Sequence, residues 1–185
     1  MKKRQSLDPT HDMMHLNTCL QQFSQNTVAF AALLSGTPET EWHWRPAPEK
    51  WCLLEILCHL ADEERDDFRA RVRHVLETPD LHMLPIDPVG WVTDRNYWSR
   101  DFEEALNDFL RERKMSAQWL LSLPPMSEPV WENAYLHPKL GPMGAKMLLA
   151  NWLAHDLLHI RQIVRLKHER LQNLSGETLT YAGNW

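Results

Sequence analysis

The segment from 151 to 163 carries a helical pattern that turns two histidines toward the protein interior. Six positions spaced three or four residues apart form one stripe: Leu148, Trp152, His155, His159, Ile163 and Leu166. Residues at this spacing share one face of an α-helix, so the two histidines lie one turn apart among apolar neighbours. A buried polar group without a partner costs about 1–3 kcal/mol. The pattern therefore predicts partners for both imidazoles, and a single metal ion would satisfy both.

Three more segments show helical apolar periodicity, so the chain is predicted to form four long helices. We place them at about 11–34, 51–77, 101–123 and 143–168. Long connections rich in proline separate them, and the prolines and Gly141 exclude a helix between residues 124 and 143. The chain is therefore predicted to be all-α, with residues 1–185 forming a single four-helix-bundle domain.

Charge and composition exclude several classes of function. The chain has 20 Lys and Arg against 25 Asp and Glu, and its largest basic cluster is Lys2-Lys3-Arg4. This balance argues against nucleic acid, whose binding depends on phosphate neutralisation. No apolar run approaches the roughly 20 residues of a membrane span, and the polar N-terminus lacks a signal-peptide core, so we expect a cytoplasmic protein. Three cysteines without a CxxC pair predict no disulfide framework.

Several local features give expectations for the helices and their connections. Ser99 is a possible N-cap for the third helix, and the acidic run 62–67 is interpreted as the solvated side of the second. The connection 79–99 could be a wall of a site, although a packed crossover is the preferred interpretation. The aromatic C-terminus, ending at Trp185, is expected to dock on the bundle.

A third ligand for the histidine pair is expected on a facing helix. His59 lies in the apolar half of the second helix, where a lone histidine is more often a hydrogen-bonded core residue. Bundle cores are, however, where side chains from facing helices form metal sites. His59 is thus the natural partner of His155 and His159, and three histidines leave a ligand position open, as in catalytic sites. The other pair at this spacing, His11 and His15, is interpreted as surface residues.

The spacing of His155 and His159 also occurs in the HExxH helix of zinc proteases, but the rest of that motif does not match. Asp156 stands where the protease has its glutamate base. His168 lies nine residues beyond His159 and faces nearly the opposite side of the helix. A protease is therefore not expected.

Two stretches of the chain resemble the signatures of the DinB-like superfamily. Residues 50–64 resemble its pattern Trp-Ser-x-x-Glu-x-x-x-His-Leu, with Cys52 in place of the serine, and residues 151–163 resemble His-Asp-x-x-His-x-x-Gln-Ile. The resemblance implies a four-helix bundle with up-down-down-up topology and a homodimer. It also implies a divalent metal, nickel or zinc, bound by His59, His155 and His159.

The resemblance also implies a type of chemistry, because characterised relatives are thiol-dependent enzymes. These include transferases that use bacillithiol or mycothiol and a maleylpyruvate isomerase. We therefore expect a metal-dependent, thiol-using transferase or hydrolase that acts on a small-molecule substrate. Its cofactors would be the divalent ion and a low-molecular-weight thiol. A non-catalytic metal- or ligand-binding module and a structural bundle with buried histidines remain open alternatives.

Three polar residues close to the histidines have expected roles. Glu63, one turn after His59, could orient the site or act as a base, although a solvated carboxylate is the preferred interpretation. Gln162 faces the same side as His159 and could form a hydrogen bond there. Asp156 points away from the ligand face and is expected to support the ligands or to join two helices.

Overall fold

The computed structural model describes residues 15–185, in which four long helices pack as a bundle. Helix α1 is Leu16–Leu34, α3 is Phe102–Leu121 and α4 is Ala145–Ser175. Helix α2 is continuous but built from three segments: Leu53–Asp62, the π-helical Glu63–Phe68 and Arg69–Glu77. Short helical turns occur at Glu39–Trp42, Trp91–Asp94, Tyr97–Ser99, Pro129–Glu132 and Thr180–Ala182. The predicted four-helix bundle is confirmed, while the expected helical start at residue 11, with His11, lies outside the described residues.

The direction of each helix follows from side-chain contacts between pairs of helices. Along α1 and the residues just after it, Asn26 contacts Asp156 and Thr37 contacts Lys167 of α4. Between α2 and α3, Glu64 contacts Arg113 and Arg69 contacts Ser116. In both pairs of helices the residue numbers rise together. Each of these pairs is therefore parallel. Helix α2 runs antiparallel to α4, because His59 meets His159 whereas Phe68 meets Trp152. This arrangement is the up-down-down-up topology that the resemblance implied.

The starts of α2 and α3 are set by capping side chains and differ from the predicted ones. Helix α2 begins at Leu53 rather than at residue 51, because Glu55 accepts a hydrogen bond from the backbone N–H of Cys52 at 2.9 Å. Helix α3 is capped by Asp101, which accepts from the backbone N–H of Glu104 at 2.8 Å. The predicted cap Ser99 is wrong, since its hydroxyl donates instead to the carbonyl of Asn96.

The connection between α3 and α4 contains structure that the sequence did not predict. A hairpin of two short strands, β1 at Ala134–His137 and β2 at Gly141–Gly144, pairs antiparallel with Ala134 opposite Gly144. Gly141 has a φ of +76°, which favours glycine at the end of this turn. The exclusion of helix here was also wrong for the single 3₁₀ turn Pro129–Glu132, which is short enough to begin with a proline.

The acidic run 62–67 is not the solvated side of α2, which corrects the sequence interpretation. Asp62, Glu63 and Glu64 are all buried. Asp62 accepts a hydrogen bond from the hydroxyl of Tyr97 at 2.6 Å, so the connection 79–99 is a packed crossover at this point. Glu64 pairs with Arg113 of α3 at 3.0 Å. Asp62 and Glu64 are buried because partners from other elements replace water.

Three further expectations concern cysteines, membrane spans and the C-terminus. Cys19, Cys52 and Cys58 are buried and unpaired, as expected. Within residues 15–185, no helix combines the length and the apolar character needed to cross a membrane. The ring of Trp185 stacks on His168 of α4 with centroids 4.3 Å apart, so the C-terminal segment docks as expected.

Candidate metal centre

Helices α2 and α4 bring His59, His155 and His159 together at their crossing. One ring nitrogen from each histidine lies within 4.8 Å of the others, and Nε2 of His155 is 3.0 Å from Nε2 of His159. Zinc–nitrogen bonds of about 2.0–2.1 Å place ligand nitrogens roughly 3 Å apart or slightly more around one ion. The cluster is therefore close to the dimensions of a three-histidine site, and the predicted grouping of these residues is found.

Burial keeps the three imidazoles neutral in the metal-free protein. Burial is the larger cause and the nearby His159 the smaller cause of a shift that lowers the pKa of His59 to about 3. Desolvation and the two neighbouring histidines lower the pKa of His155 to about 2, and desolvation also lowers the pKa of His159. Neutral imidazole is the form that binds a metal, so the cluster does not have to lose protons near pH 7 before an ion binds.

A neighbouring amide fixes the ring of His159, whereas His59 has no such partner among the described residues. Oε1 of Gln162 lies 2.7 Å from Nδ1 of His159, and because an amide oxygen only accepts, His159 donates this hydrogen bond. The neutral ring then keeps Nε2, the nitrogen near His155, free of a proton. Nδ1 of His59 is buried with no hydrogen-bond partner among the described residues, although the Trp51 ring packs 4.9 Å away. A buried nitrogen without a partner is unusual in proteins, and a ligand bound there would satisfy it.

Glu63 lies beside the cluster, and its burial overturns the preferred sequence interpretation of a solvated carboxylate. Its Oε2 is 4.0 Å from Nε2 of His155, and its Oε1 has no hydrogen-bond partner among the described residues. Desolvation, with a further contribution from Asp67, raises the pKa of Glu63 to about 9. Glu63 lies in the π-helical stretch of α2, and π-helical segments are often found at functional sites. This shift favours the protonated form of the Glu63 carboxyl in the metal-free protein, next to a candidate ligand.

An ionic network behind the ligands joins all four helices. Asp156 binds the guanidinium of Arg113 through both oxygens, at 2.6 and 2.7 Å, and accepts from Asn26 at 2.9 Å. The same guanidinium meets Glu64, which also accepts from the indole N–H of Trp152 at 3.0 Å. Asp156 therefore joins helices, as expected. No sequence pattern pointed to Arg113, because a charged residue within a polar helical run is typical of a solvated face.

A large cavity opens onto the histidines, and we call it the histidine cavity. Its volume is about 1080 Å³, and its lining includes Trp51, Leu157, Val164 and Trp185 beside the three histidines. Arg165 on its lining pairs with Glu169 at 2.9 Å, but Lys50 and Arg161 still outnumber the one lining carboxylate, Glu49. The cluster is thus accessible to a small molecule, and the rim of its cavity favours a negative charge.

Comparison with known proteins identifies the family. The family model of the DinB superfamily matches residues 22–163 of the chain. The chain belongs to the DinB superfamily. The match spans α1 to most of α4 and includes all three histidines, so the resemblance seen in the two motifs is confirmed. No curated protein matches this DinB-superfamily chain significantly in sequence.

A solved structure has the same fold as this DinB-superfamily protein. It is YfiT from Bacillus subtilis, described as a probable metal-dependent hydrolase with an unusual four-helix bundle topology. The TM-score is 0.71 at 15% sequence identity, and the match covers 96% of this chain and 95% of that one. At this identity the likeness establishes the fold, including its extent over almost the whole chain.

Removing the amide beside His159 should weaken metal binding without abolishing it. We expect Gln162→Ala to lower metal affinity by about 10–100-fold, because an outer partner that fixes a ligand ring typically contributes this much. Titration with zinc against a competing chelator measures the change. Gln172→Ala, at an exposed position of the same helix, is the control and should bind as the parent does. Equal affinities for the two variants would contradict the assigned role of Gln162.

The lowered histidine pKa values predict a loss of stability in acid. The unfolded chain takes up a proton on each histidine near pH 6.5, whereas folded His59 stays neutral until pH falls to about 3. The unfolded state thus binds more protons in this window, so the stabilisation present above pH 6.5 is lost as pH falls. Each such histidine lowers the free energy of unfolding by about 1.4 kcal/mol per pH unit.

A matched variant separates this effect from other titrating groups. Glu63 acts in the opposite direction, because its raised pKa makes the folded state retain a proton between about pH 4.5 and 9. Urea unfolding of the metal-free parent and of His59→Gln, measured from pH 7.5 to 5, isolates the His59 contribution. The parent should lose stability more steeply than the variant below pH 6.5. Parallel pH profiles would contradict a buried, neutral His59.

Proposed function

We propose that the protein binds one divalent metal ion through His59, His155 and His159 and catalyses a thiol-using transfer reaction on a small molecule. The observation that carries this proposal is the group of three neutral imidazoles within 4.8 Å of one another at the wall of a cavity. Imidazole ligands suit zinc and nickel, the metals that the resemblance implies. A bound ion would supply a Lewis acid that lowers the pKa of a coordinated thiol or water.

The residues of this chain would bind and orient the reactants. Three neutral imidazoles leave the charge of the ion uncompensated, which favours an anionic ligand such as a thiolate. Lys50 and Arg161 on the rim of the histidine cavity would attract a thiol that also carries a negative group. Gln162 holds the ring of His159, and the carboxyl of Glu63, when protonated, would donate a hydrogen bond or a proton beside His155.

Hydrolysis is the second candidate, and two observations favour it. YfiT, which shares the fold, is described as a probable metal-dependent hydrolase. Glu63 is also placed to exchange a proton with a water molecule near His155, since its Oε2 is 4.0 Å from the ring. A metal- or ligand-binding module without turnover would need the same histidines. The homodimer and the cytoplasmic location stay predictions.

Cobalt-substituted protein offers a direct test of thiol binding. We expect addition of 2-mercaptoethanol or mercaptoacetate to produce an intense sulfur-to-metal charge-transfer band in the near ultraviolet. His59→Ala should abolish the band. His15→Ala, at an exposed position just before α1, should leave it unchanged. No band with any thiol, together with no thiol consumption against a panel of electrophiles, would contradict the transferase proposal. A water-derived product from ester or amide substrates would then favour the hydrolase.

A further inference from the structure

A second cavity touches the histidine cluster on the side of the β-hairpin, and we call it the hairpin cavity. Its volume is about 590 Å³, within the range of small-molecule sites. Its apolar lining comes from α2, the connection after it, the hairpin and α4: Phe68, Ile86, Leu140, Met143, Met147 and Leu158. Several of these side chains, including Leu140 and Met147, are exposed to solvent.

One wall separates the hairpin cavity from the histidine cavity. His155 and Leu158, which are neighbours on one face of α4, line both cavities. The ring of Phe68 packs 5.0 Å from the ring of His155 on the hairpin side. A ligand in the hairpin cavity would therefore lie against a proposed metal ligand, while another molecule could occupy the histidine cavity.

The two cavities differ in charge, and this difference indicates what each accepts. In the hairpin cavity, Arg71 is paired with Asp67 and also contacts the sulfur of Met83, so neither charge is left uncompensated. His137 accepts backbone hydrogen bonds from Lys139 and Leu140 on its Nδ1, both at 3.1 Å. The histidine cavity has an excess of cations on its rim. The hairpin cavity is thus suited to an uncharged and mainly apolar molecule.

We infer that the hairpin cavity binds the second substrate, a neutral and mainly apolar electrophile, while the anionic thiol enters through the histidine cavity. The role of the bound molecule as a substrate rests on the proposed thiol transfer, whereas its binding in the hairpin cavity does not. In that transfer, a lone pair of the thiolate sulfur forms the new S–C bond. The leaving group departs from the same carbon with the electron pair of the broken bond. Leu158 then acts as the partition that keeps the two reactants in separate cavities until they meet beside His155.

Methyl NMR of the metal-free protein tests occupancy of the hairpin cavity without requiring activity. Protein with [13C-methyl]methionine is titrated with indole, a neutral aromatic probe whose ring current shifts nearby methyl signals. Met143 and Met147 should shift saturably, whereas Met115, exposed on α3, should not. Indole-3-acetate, with the same ring and a carboxylate, should bind at least about tenfold more weakly, because the cavity offers this charge no unpaired cation.

Two matched variants on the exposed surface of α4 assign the binding to one cavity. Ala154 lines only the hairpin cavity and Leu157 only the histidine cavity, and both are exposed, so tryptophan fits at either position without disturbing the core. Ala154→Trp should abolish the indole shifts and Leu157→Trp should preserve them. No saturable shift up to the solubility limit, shifts that persist in Ala154→Trp, or equal binding of indole-3-acetate would each overturn the inference. A failure of the metal proposal would appear separately, as absence of zinc binding with the indole shifts intact.

Discussion

Replacing Arg113 by leucine should lower the free energy of unfolding by roughly 3–5 kcal/mol. The Arg113 side chain is 2% exposed and is the cation for both Asp156 and Glu64, whose side chains are each 1% exposed. Without it, two carboxylates remain close together in the core with no opposite charge. Burial already raises the pKa of Glu64 to about 7 despite the presence of Arg113. The guanidinium also packs on the ring of Phe23 at 4.1 Å, and this contact would be lost as well.

Urea unfolding at pH 7.5 measures this effect, and the same helix provides a control. Arg111 pairs with Asp108 at 2.7 Å, but both side chains are exposed, at 58% and 40%. Arg111→Ala should therefore change the free energy of unfolding by no more than about 1 kcal/mol. Similar losses for the two variants would show that the buried network is not what holds the four helices in place.

Replacing any one of the three histidines by alanine should lower metal affinity by more than about 100-fold. Loss of a partner outside the ligand set typically costs 10–100-fold, and loss of a ligand removes a whole metal–nitrogen bond. His59→Ala should weaken metal binding as much as His155→Ala or His159→Ala, although His59 lies on a different helix. Competition with a chromophoric chelator measures the affinity for zinc and nickel. His82→Ala, at an exposed position, is the control, and a His59 variant that binds as tightly as this control would exclude His59 from the site.

The helices and the three histidines could be predicted because each rests on a local pattern. The stripe through Trp152, His155 and His159 needs only the helical period, and His59 stands out as the one histidine in an apolar half-helix. Bundle architecture then brings the two faces together. The family signature contains the same three histidines and also implies the topology, which the helical period does not indicate.

The buried charges could not be predicted, because their partners lie far away along the chain. Glu63 and Glu64 stand in an acidic run that is typical of a solvent-exposed helix face. Arg113 and Trp152 bind the buried Glu64, and Glu63 lies in the π-helical turn. The hairpin was missed for a different reason. Its strands have four residues each, β1 is followed by a proline, and β2 itself is Gly-Pro-Met-Gly, so the local sequence indicates only a loop.

Metal content of protein purified without a histidine tag tests the central claim most directly. The protein would be loaded with zinc or nickel, freed of excess ion by dialysis and analysed by inductively coupled plasma mass spectrometry. We expect one ion per chain in the parent. The triple variant His59→Ala, His155→Ala and His159→Ala should hold none while keeping the helical circular dichroism of the parent. A triple variant that retains as much metal as the parent, or a parent that holds none after loading, would contradict the metal centre.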